Sequence, residues 1–369
     1  MKKTLIITLE YLPQIGGIAS YVYNLASHLP PDKIVVYAPE MSGVNNYGES
    51  PWKVYRQKPY WFLWPHWLRM YWQIKNIVEK EKIETIQVHQ ALPVGYVALL
   101  IKKFQKISYT LFLHGTDLEL GARKLNKLTK VCVGAEKIMV NSFFMKNKLL
   151  GKIKHLKNVD VMYPCPADNF FEAVSPEEIN KLKSQLGLQG KKVILTVARM
   201  EAGKGYTQMV RLMSAIVVQV PNTVWLVIGD GSKKKDILES VQKYGLQNVV
   251  RFVGMVPQML LPKYYQVADL FVLLTHKDKF SEEGWGMVFV EAAASGLPVV
   301  AGLVGGTKEA VEDGRTGLVV DTNDDNNVIA VIVSLLSDPE KAKMFGKAGQ
   351  KRALENFTWN EQIKQHFDL

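Results

Sequence analysis

Cysteine is nearly missing from this chain: its 369 residues hold two, Cys132 and Cys165. A pair so far apart makes no disulfide framework, and neither has a Cys or His neighbour at zinc-ligand spacing. Two buried thiols in a reducing compartment are expected. No stretch reaches the roughly 18 uninterrupted apolar residues of a membrane-spanning helix. The opening MKKTLIITLEYLPQ has the lysines of a signal peptide, but its apolar run is short and Glu10 interrupts it, so a first β-strand is expected instead. A GxGxxG fingerprint is missing, which counts against a dehydrogenase. So are low-complexity tracts and short-period repeats. No helix-turn-helix, zinc-finger or RNP-type signature occurs, so nucleic acid is not an expected partner.

What is present suits a two-domain globular protein. Hydrophobic residues make up 47% and charged residues 22%, enough for two cores. The net charge of +11 is uneven. Residues 1–180 hold 23 Lys+Arg against 15 Asp+Glu, and the remainder 23 against 20. A basic first half suits an anionic surface or plain solvation.

Short apolar runs alternate with amphipathic stretches, the pattern of a parallel sheet covered on both faces. Strands are expected at residues 4–9, 34–37, 85–89, 109–114, 137–141 and 158–162, with helices at 19–29, 67–81, 94–104, 125–134 and 144–150. The pattern restarts with strands at 192–198, 223–229, 249–253, 270–274, 298–301 and 317–320. Helices there fall at 206–218, 233–244, 261–268, 287–295, 308–312 and 325–336. The expected division is an N-terminal Rossmann-like domain (1–165), a linker (166–190) with a short helix near 177–186, a second Rossmann-like domain (191–355) and a C-terminal helix (356–369) returning toward the first. Ligands of such sheets bind beyond the carboxyl ends of the strands.

Four constellations follow strands. The first is SEEGWGMVFVEAAASGLP, Ser281–Pro298. Glu283 precedes a helix opening near Met287, and Glu291 lies one turn inside it. Open N–H groups at the helix start, with glycine backbone close by, make an anion site. Carboxylates suit sugar hydroxyls; alone, a pair of glutamates favours a capped surface helix with solvated side chains. The second is Thr196–Arg199 followed by Gly203-Lys204-Gly205, where Arg199 and Lys204 leave a strand end together and suit a diphosphate. The third is Gly16-Gly17, weak alone because tight strand–helix turns favour glycine. The fourth is His114-Gly115-Thr116-Asp117 at a strand end, where a histidine either binds a hydroxyl, moves a proton or caps the strand.

Together with GLPVVAGLVGGTKEAVEDGRTGLVV (Gly296–Val320), these motifs in this order resemble the family 4 retaining glycosyltransferases along essentially the whole chain, especially bacterial phosphatidylinositol-type mannosyltransferases. The resemblance implies an α/β, GT-B fold: two Rossmann-like domains facing a central cleft, with the nucleotide-sugar donor on the second. It implies that Arg199 and Lys204 hold the donor diphosphate, Glu291 the ribose and Glu283 the sugar. It also implies that Gly286, Met287 and Val288 present backbone to phosphate and sugar, that Val256 and Gln258 contact the base, that His114 stands at the reacting sugar, and that Gly16 and Gly17 face the phosphate. Metal is not required in this family, which fits the lack of a DxD motif near the matched residues. GDP-mannose is the donor it suggests. Trp285 departs from the family's usual Phe.

The segment YWFLWPHWLRMYW (Tyr60–Trp72) is dense in aromatics, flanked by Lys58, Arg69 and Lys75. Trp61, Trp64 and Trp67 either rest on an anionic membrane surface beside a lipid or lipid-linked glycan acceptor, with Asp117 on the same side, or pack as core. A cytoplasmic enzyme, peripheral on the inner face of the membrane, is expected. Other readings are a UDP-sugar-dependent glucosyl or N-acetylglucosaminyl transferase, an epimerase or phosphorylase of the same fold, and a non-catalytic nucleotide-sugar-binding module.

Overall fold

The computed structural model describes every residue except 44–48, 63, 119–121, 279–281 and 368–369. The chain divides into two compact units, Met1–Pro164 with Trp359–Leu369, and Cys165–Thr358. Residues 166–190 fall in the second unit.

The first unit holds β1 (Thr4–Ile7), α1 (Gly17–Ser27), β2 (Ile34–Pro39), β3 (Lys53–Gln57), α2 (Leu68–Glu81), β4 (Thr85–Val88), α3 (Val94–Gln105), β5 (Ser108–Leu113), α4 (Ala122–Gly134), β6 (Lys137–Val140), α5 (Phe143–Lys152) and β7 (Val159–Val161). Its seven strands are parallel, in the order β3-β2-β1-β4-β5-β6-β7. The second unit holds α6 (Pro176–Gln185), β8 (Lys192–Val197), α7 (Tyr206–Gln219), β9 (Thr223–Ile228), α8 (Lys234–Lys243), β10 (Val250–Gly254), α9 (Leu261–Val267), β11 (Leu270–Leu273), α10 (Met287–Ala294), β12 (Val299–Gly302), α11 (Thr307–Ala310), β13 (Leu318–Val320), α12 (Asp325–Ser337) and α13 (Pro339–Asn356). Its six parallel strands run β10-β9-β8-β11-β12-β13.

Strands such as TLII (β1) and TVWLVI (β9) are buried at every residue, because helices cover both faces of a parallel sheet. Each sheet reverses its order once, between β1 and β4 and between β8 and β11. Crevices for ligands open at such reversals.

Two elements escaped the sequence pattern. β3 is a five-residue edge strand, KVYRQ, and none of its residues is fully buried, so no apolar run announces it. α13 spans 18 residues but buries mainly small side chains, including Gly346 and Gly349. A Cβ on Gly346 would stand 2.1 Å from the Gly296 carbonyl. α13 thus packs by close backbone approach, not by an apolar stripe.

The last helix, α14 (Trp359–His366), belongs to the first unit. Trp359 is fully buried, edge-on to Tyr21 at 5.1 Å and stacked with His28 at 6.2 Å. Its loss should be felt by α1. Trp359→Ala is expected to destabilise the protein by about 3–5 kcal/mol in urea unfolding; a change under 1 kcal/mol would mean that α14 adds little to the first unit.

Candidate functional site

Among the described residues, side chains cap the starts of α5, α6, α12 and α13. Ser142 accepts the Met145 N–H at α5, Ser175 the Glu178 N–H at α6, Asp324 the Asn327 N–H at α12 and Asp338 the Lys341 N–H at α13. Other helices have no side-chain cap, α2, α3, α8, α9 and α11 among them, and three of the uncapped ones open on a glycine after a strand at an order reversal. α1, α7 and α10 begin after Gly16, Gly205 and Gly286, with no side-chain cap. Their first N–H groups are left for another acceptor.

In the second unit the loops after β8 and β11 meet. Lys204 Nζ lies 2.6 Å from Glu283 Oε2, both side chains partly buried. Gly205, at φ 73°, begins α7; a Cβ there would sit 2.2 Å from the Leu274 carbonyl. His276 N–H donates to the Gly203 carbonyl at 3.0 Å. A second clamp comes from Gly305-Gly306. The Gly306 N–H donates to the Glu283 carbonyl at 3.0 Å, and Cβ atoms on Gly305 and Gly306 would meet the Glu283 and Gly284 carbonyls at 1.9 and 2.2 Å. Glycine is therefore obligatory at both, and the loop 283–286 is held from two sides. Ser281, where the motif begins, lies outside the described residues.

Gly286, at φ 87°, delivers Met287 and Val288 into the uncapped start of α10. Trp285 is buried, edge-on to Phe357 at 5.2 Å, so the bulkier ring is accommodated within the unit. Arg199 is exposed at the end of β8 and forms no ion pair with a described residue. The structure thus joins Lys204, Glu283 and Gly286 into one cluster, with Arg199 just past the end of β8, the strand adjacent to β11.

Glu291 occupies a different environment. It is buried in α10 and accepts a hydrogen bond from Tyr265 Oη at 2.8 Å. Burial pushes its carboxyl up to about 7, partly opposed by the tyrosine hydrogen bond. After β10, Val256 is buried, and the Gln258 amide nitrogen is buried with no partner among the described residues.

In the first unit, Gly16 has an extended φ of 173° and Gly17 is helical. A Cβ on Gly16 would make only an ordinary 3.7 Å contact with Glu10, and one on Gly17 would meet nothing within 4 Å. Neither backbone strain nor packing requires these glycines, so the space they leave is open to a ligand. His114 follows β5, edge-on to Tyr21 at 5.0 Å and stacked with His89 at 5.6 Å. Its Nε2 is buried without a partner among the described residues, and burial pulls the imidazole down to about 4. It is neutral near pH 7. Asp117 braces it: its two oxygens accept the Ala91 N–H at 2.9 Å and the His114 N–H at 2.7 Å. Burial raises the Asp117 carboxyl to about 6.

The aromatic segment splits. Trp64 and Phe62 are 86% and 82% exposed, Trp61 40%, whereas Trp67 packs on the core, edge-on to Tyr96 at 5.3 Å. The turn that carries the tryptophans faces outward, and the helix entry packs inward. Among the described residues no helix is long and apolar enough to cross a membrane, and no cluster of three metal-ligating side chains occurs.

Residues 15–165 match the family model described as Glycosyltransferase Family 4, and residues 178–352 the one described as Glycosyl transferases group 1. Between them they span most of the chain. The chain belongs to the family 4 glycosyltransferases. This hexosyltransferase is 27% identical to the GDP-mannose-dependent alpha-(1-6)-phosphatidylinositol monomannoside mannosyltransferase of Mycolicibacterium smegmatis, over 96% of this chain and 94% of that one. It is 25% identical to the N-acetyl-alpha-D-glucosaminyl L-malate synthase of Bacillus anthracis, over 82% and 78%. Among solved structures, Anabaena HepE in complex with UDP-glucose superimposes with a TM-score of 0.84 at 18% identity, covering 99% and 98% of the two chains. The glycosyltransferase has the GT-B fold.

Tyr265, Gly305-Gly306 and Gln90 were not singled out by sequence reasoning. Gln90 accepts the Leu9 N–H at 2.8 Å, joining the β4 and β1 ends. The signal for Gly305-Gly306 was in the sequence: a glycine pair after a strand marks close backbone approach.

The raised Glu291 carboxyl has a consequence for stability. Folding favours its protonated form, so it contributes stability below pH 4.5 that is lost as pH rises through about 7. Glu291→Gln, which stays neutral, is therefore expected to gain about 3 kcal/mol relative to wild type between pH 4.5 and pH 8 in denaturant unfolding. An unchanged difference across that range would show that Glu291 is not buried as a carboxyl.

Proposed function

We propose that this glycosyltransferase moves a mannosyl group from GDP-mannose to a lipid or lipid-linked acceptor, with retention of anomeric configuration. The observation that carries the donor half is the junction of Lys204, Glu283 and the uncapped start of α10 beside the order reversal of the second sheet. Cations and open N–H groups suit a pyrophosphate, and both gain strength as the leaving diphosphate takes on charge. Arg199 supplies the second cation. Glu283 serves the sugar and, before the donor arrives, neutralises Lys204. Glu291 serves the ribose, Val256 and Gln258 the base, and Gly16, Gly17 and His114 the phosphate and the reacting sugar. The departing phosphate accepts the acceptor's proton, so neither a nucleophile nor a metal ion is needed. Mannose and GDP rest on the likeness to the Mycolicibacterium enzyme. A UDP-sugar donor is the second reading, favoured by the likeness to HepE, which binds UDP-glucose, and to the Bacillus synthase.

The lipid half is supported by two features of the first unit. Phe62 and Trp64 are held out to solvent, and rings of this kind settle at bilayer interfaces. The successive right-handed steps β4-β5-β6-β7 put α3, α4 and α5 on one face of the sheet. Residues 102–157 hold 13 Lys+Arg against three Asp+Glu, almost the entire net charge of +11. Such a field attracts anionic headgroups. The enzyme then works as a peripheral protein at the cytoplasmic face of the membrane.

Three outcomes test the proposal. GDP-mannose at a hundred times its Kd stabilises the protein by about 2.7 kcal/mol in thermal shift, while UDP-glucose does not; the reverse result selects the second reading. Arg199→Ala lowers kcat/KM about 100-fold without loss of fold, and transfer survives EDTA; full activity in the variant would remove Arg199 from the site. Vesicles containing anionic lipid sediment the wild type in low salt, whereas a Trp61/Trp64→Ser variant binds them weakly; equal binding would discard the aromatic contact.

A further inference from the structure

Glu291 is enclosed within the second unit with no cation at hydrogen-bond distance among the described residues. Burying an ionised carboxylate without a counter-charge is costly, and a neutral side chain would fill the same space at less expense. A carboxylate kept under these conditions has a use for its charge, and its surroundings must hold it ready.

Those surroundings are one side chain. Tyr265 Oη donates to Glu291 Oε2 at 2.8 Å. Its ring is wholly buried, stacked with Phe271 at 5.7 Å and edge-on to Phe170 at 5.6 Å. Aromatic packing on both sides fixes the ring, so the phenol proton is aimed at the carboxylate before any ligand binds. The other elements packed on α10 are the turn Asp168–Phe171, with Asp168 and Phe170; α11, with the exposed Lys308 and with Glu309; β12, with no titratable side chain; and α13, which brings Gly346, Gly349 and the uncharged Gln350. Among the described residues no titratable group besides Tyr265 acts on this carboxyl.

Resting on the donor reading above, in which ionised Glu291 accepts hydrogen bonds from the ribose hydroxyls, we infer that Tyr265 is a positioning residue whose O–H fixes one carboxylate oxygen and favours the ionised form that the donor requires. Nucleotide affinity is then gated by pH. Ribose hydroxyls can donate and accept, but they donate more strongly to an ionised carboxylate, which offers only acceptors and carries the charge. Affinity rises as pH passes through the range where Glu291 loses its proton, about 7, and then levels off. Removing the phenol O–H weakens the ionised form and moves that rise to higher pH. A hydrogen bond to a charged group is strong enough to move it by about one pH unit.

The test is isothermal titration of GDP, with UDP in parallel, into wild type, Tyr265→Phe and Glu291→Gln from pH 6 to pH 9. The nucleotide's own phosphate titration is common to all three and cancels in the comparison. Tyr265→Phe is expected to bind about tenfold more weakly than wild type below pH 7 and nearly equally at pH 9, and Glu291→Gln to bind weakly with no such rise. Two results overturn the inference while the donor reading stands: a Tyr265→Phe curve superimposable on wild type, or one weakened equally at every pH with a lowered Tm, the mark of a merely structural tyrosine. If Glu291→Gln binds the nucleotide as wild type does, the donor reading for Glu291 fails, and the role of Tyr265 fails with it.

Discussion

A lysine leaving β8 meets a glutamate leaving β11, and much of the second unit is arranged around that meeting. The two strands are neighbours because the sheet reverses its order there, so their loops diverge and leave room above the strand ends. Lys204 and Glu283 close part of that room at 2.6 Å. Gly205 and Gly305-Gly306 bring the backbone close enough for the pair to form, since any side chain there would strike a carbonyl. The ion pair is partly buried but open to solvent on one side, and such pairs contribute little to stability by themselves. Its effect is to keep a cation beside an uncapped helix start without letting the cation drift into solvent. On the donor reading proposed above, an arriving diphosphate displaces the carboxylate and takes over the lysine, and the freed glutamate turns to the sugar.

The two glutamates of the E-x7-E spacing show how chemistry divides by burial. Glu283 stands at a loop surface with a cation beside it. Glu291, eight residues on, is enclosed and accepts a hydrogen bond from Tyr265. Identical side chains thus have different settings: Glu283 is paired with a lysine, while desolvation presses Glu291 toward neutrality. In the first unit His114 is neutral for the same reason, and Asp117 spends both oxygens on backbone N–H groups that fix the strand end bearing it.

Much of this was legible in the residues. Fully apolar runs such as TLII and TVWLVI announce parallel strands, and the strand–helix alternation gives two such sheets. The motifs at Gly16, His114, Arg199 and Glu283 lie in the loops that follow strands, and together they name the family. The sequence is silent where packing uses no apolar stripe: α13 docks through Gly346 and Gly349, and β3 is an edge strand with two cations in five residues. It is also silent on pairings between distant positions. Nothing in the spacing tells that Lys204 reaches Glu283 or Tyr265 reaches Glu291, because those contacts depend on which strands are neighbours. The aromatic run 60–72 reads as one feature in sequence but is two in space, since Trp67 enters the core where α2 begins while Trp64 remains in solvent.

The account stands on where a pyrophosphate binds. A crystal structure of the protein with GDP measures this directly. The expected result is phosphate oxygens at about 3 Å from Lys204 Nζ and from the Met287 or Val288 N–H, with Arg199 turned toward them and Glu283 released from the lysine. A nucleotide whose phosphates lie away from the start of α10, with the Lys204–Glu283 pair intact, would contradict it.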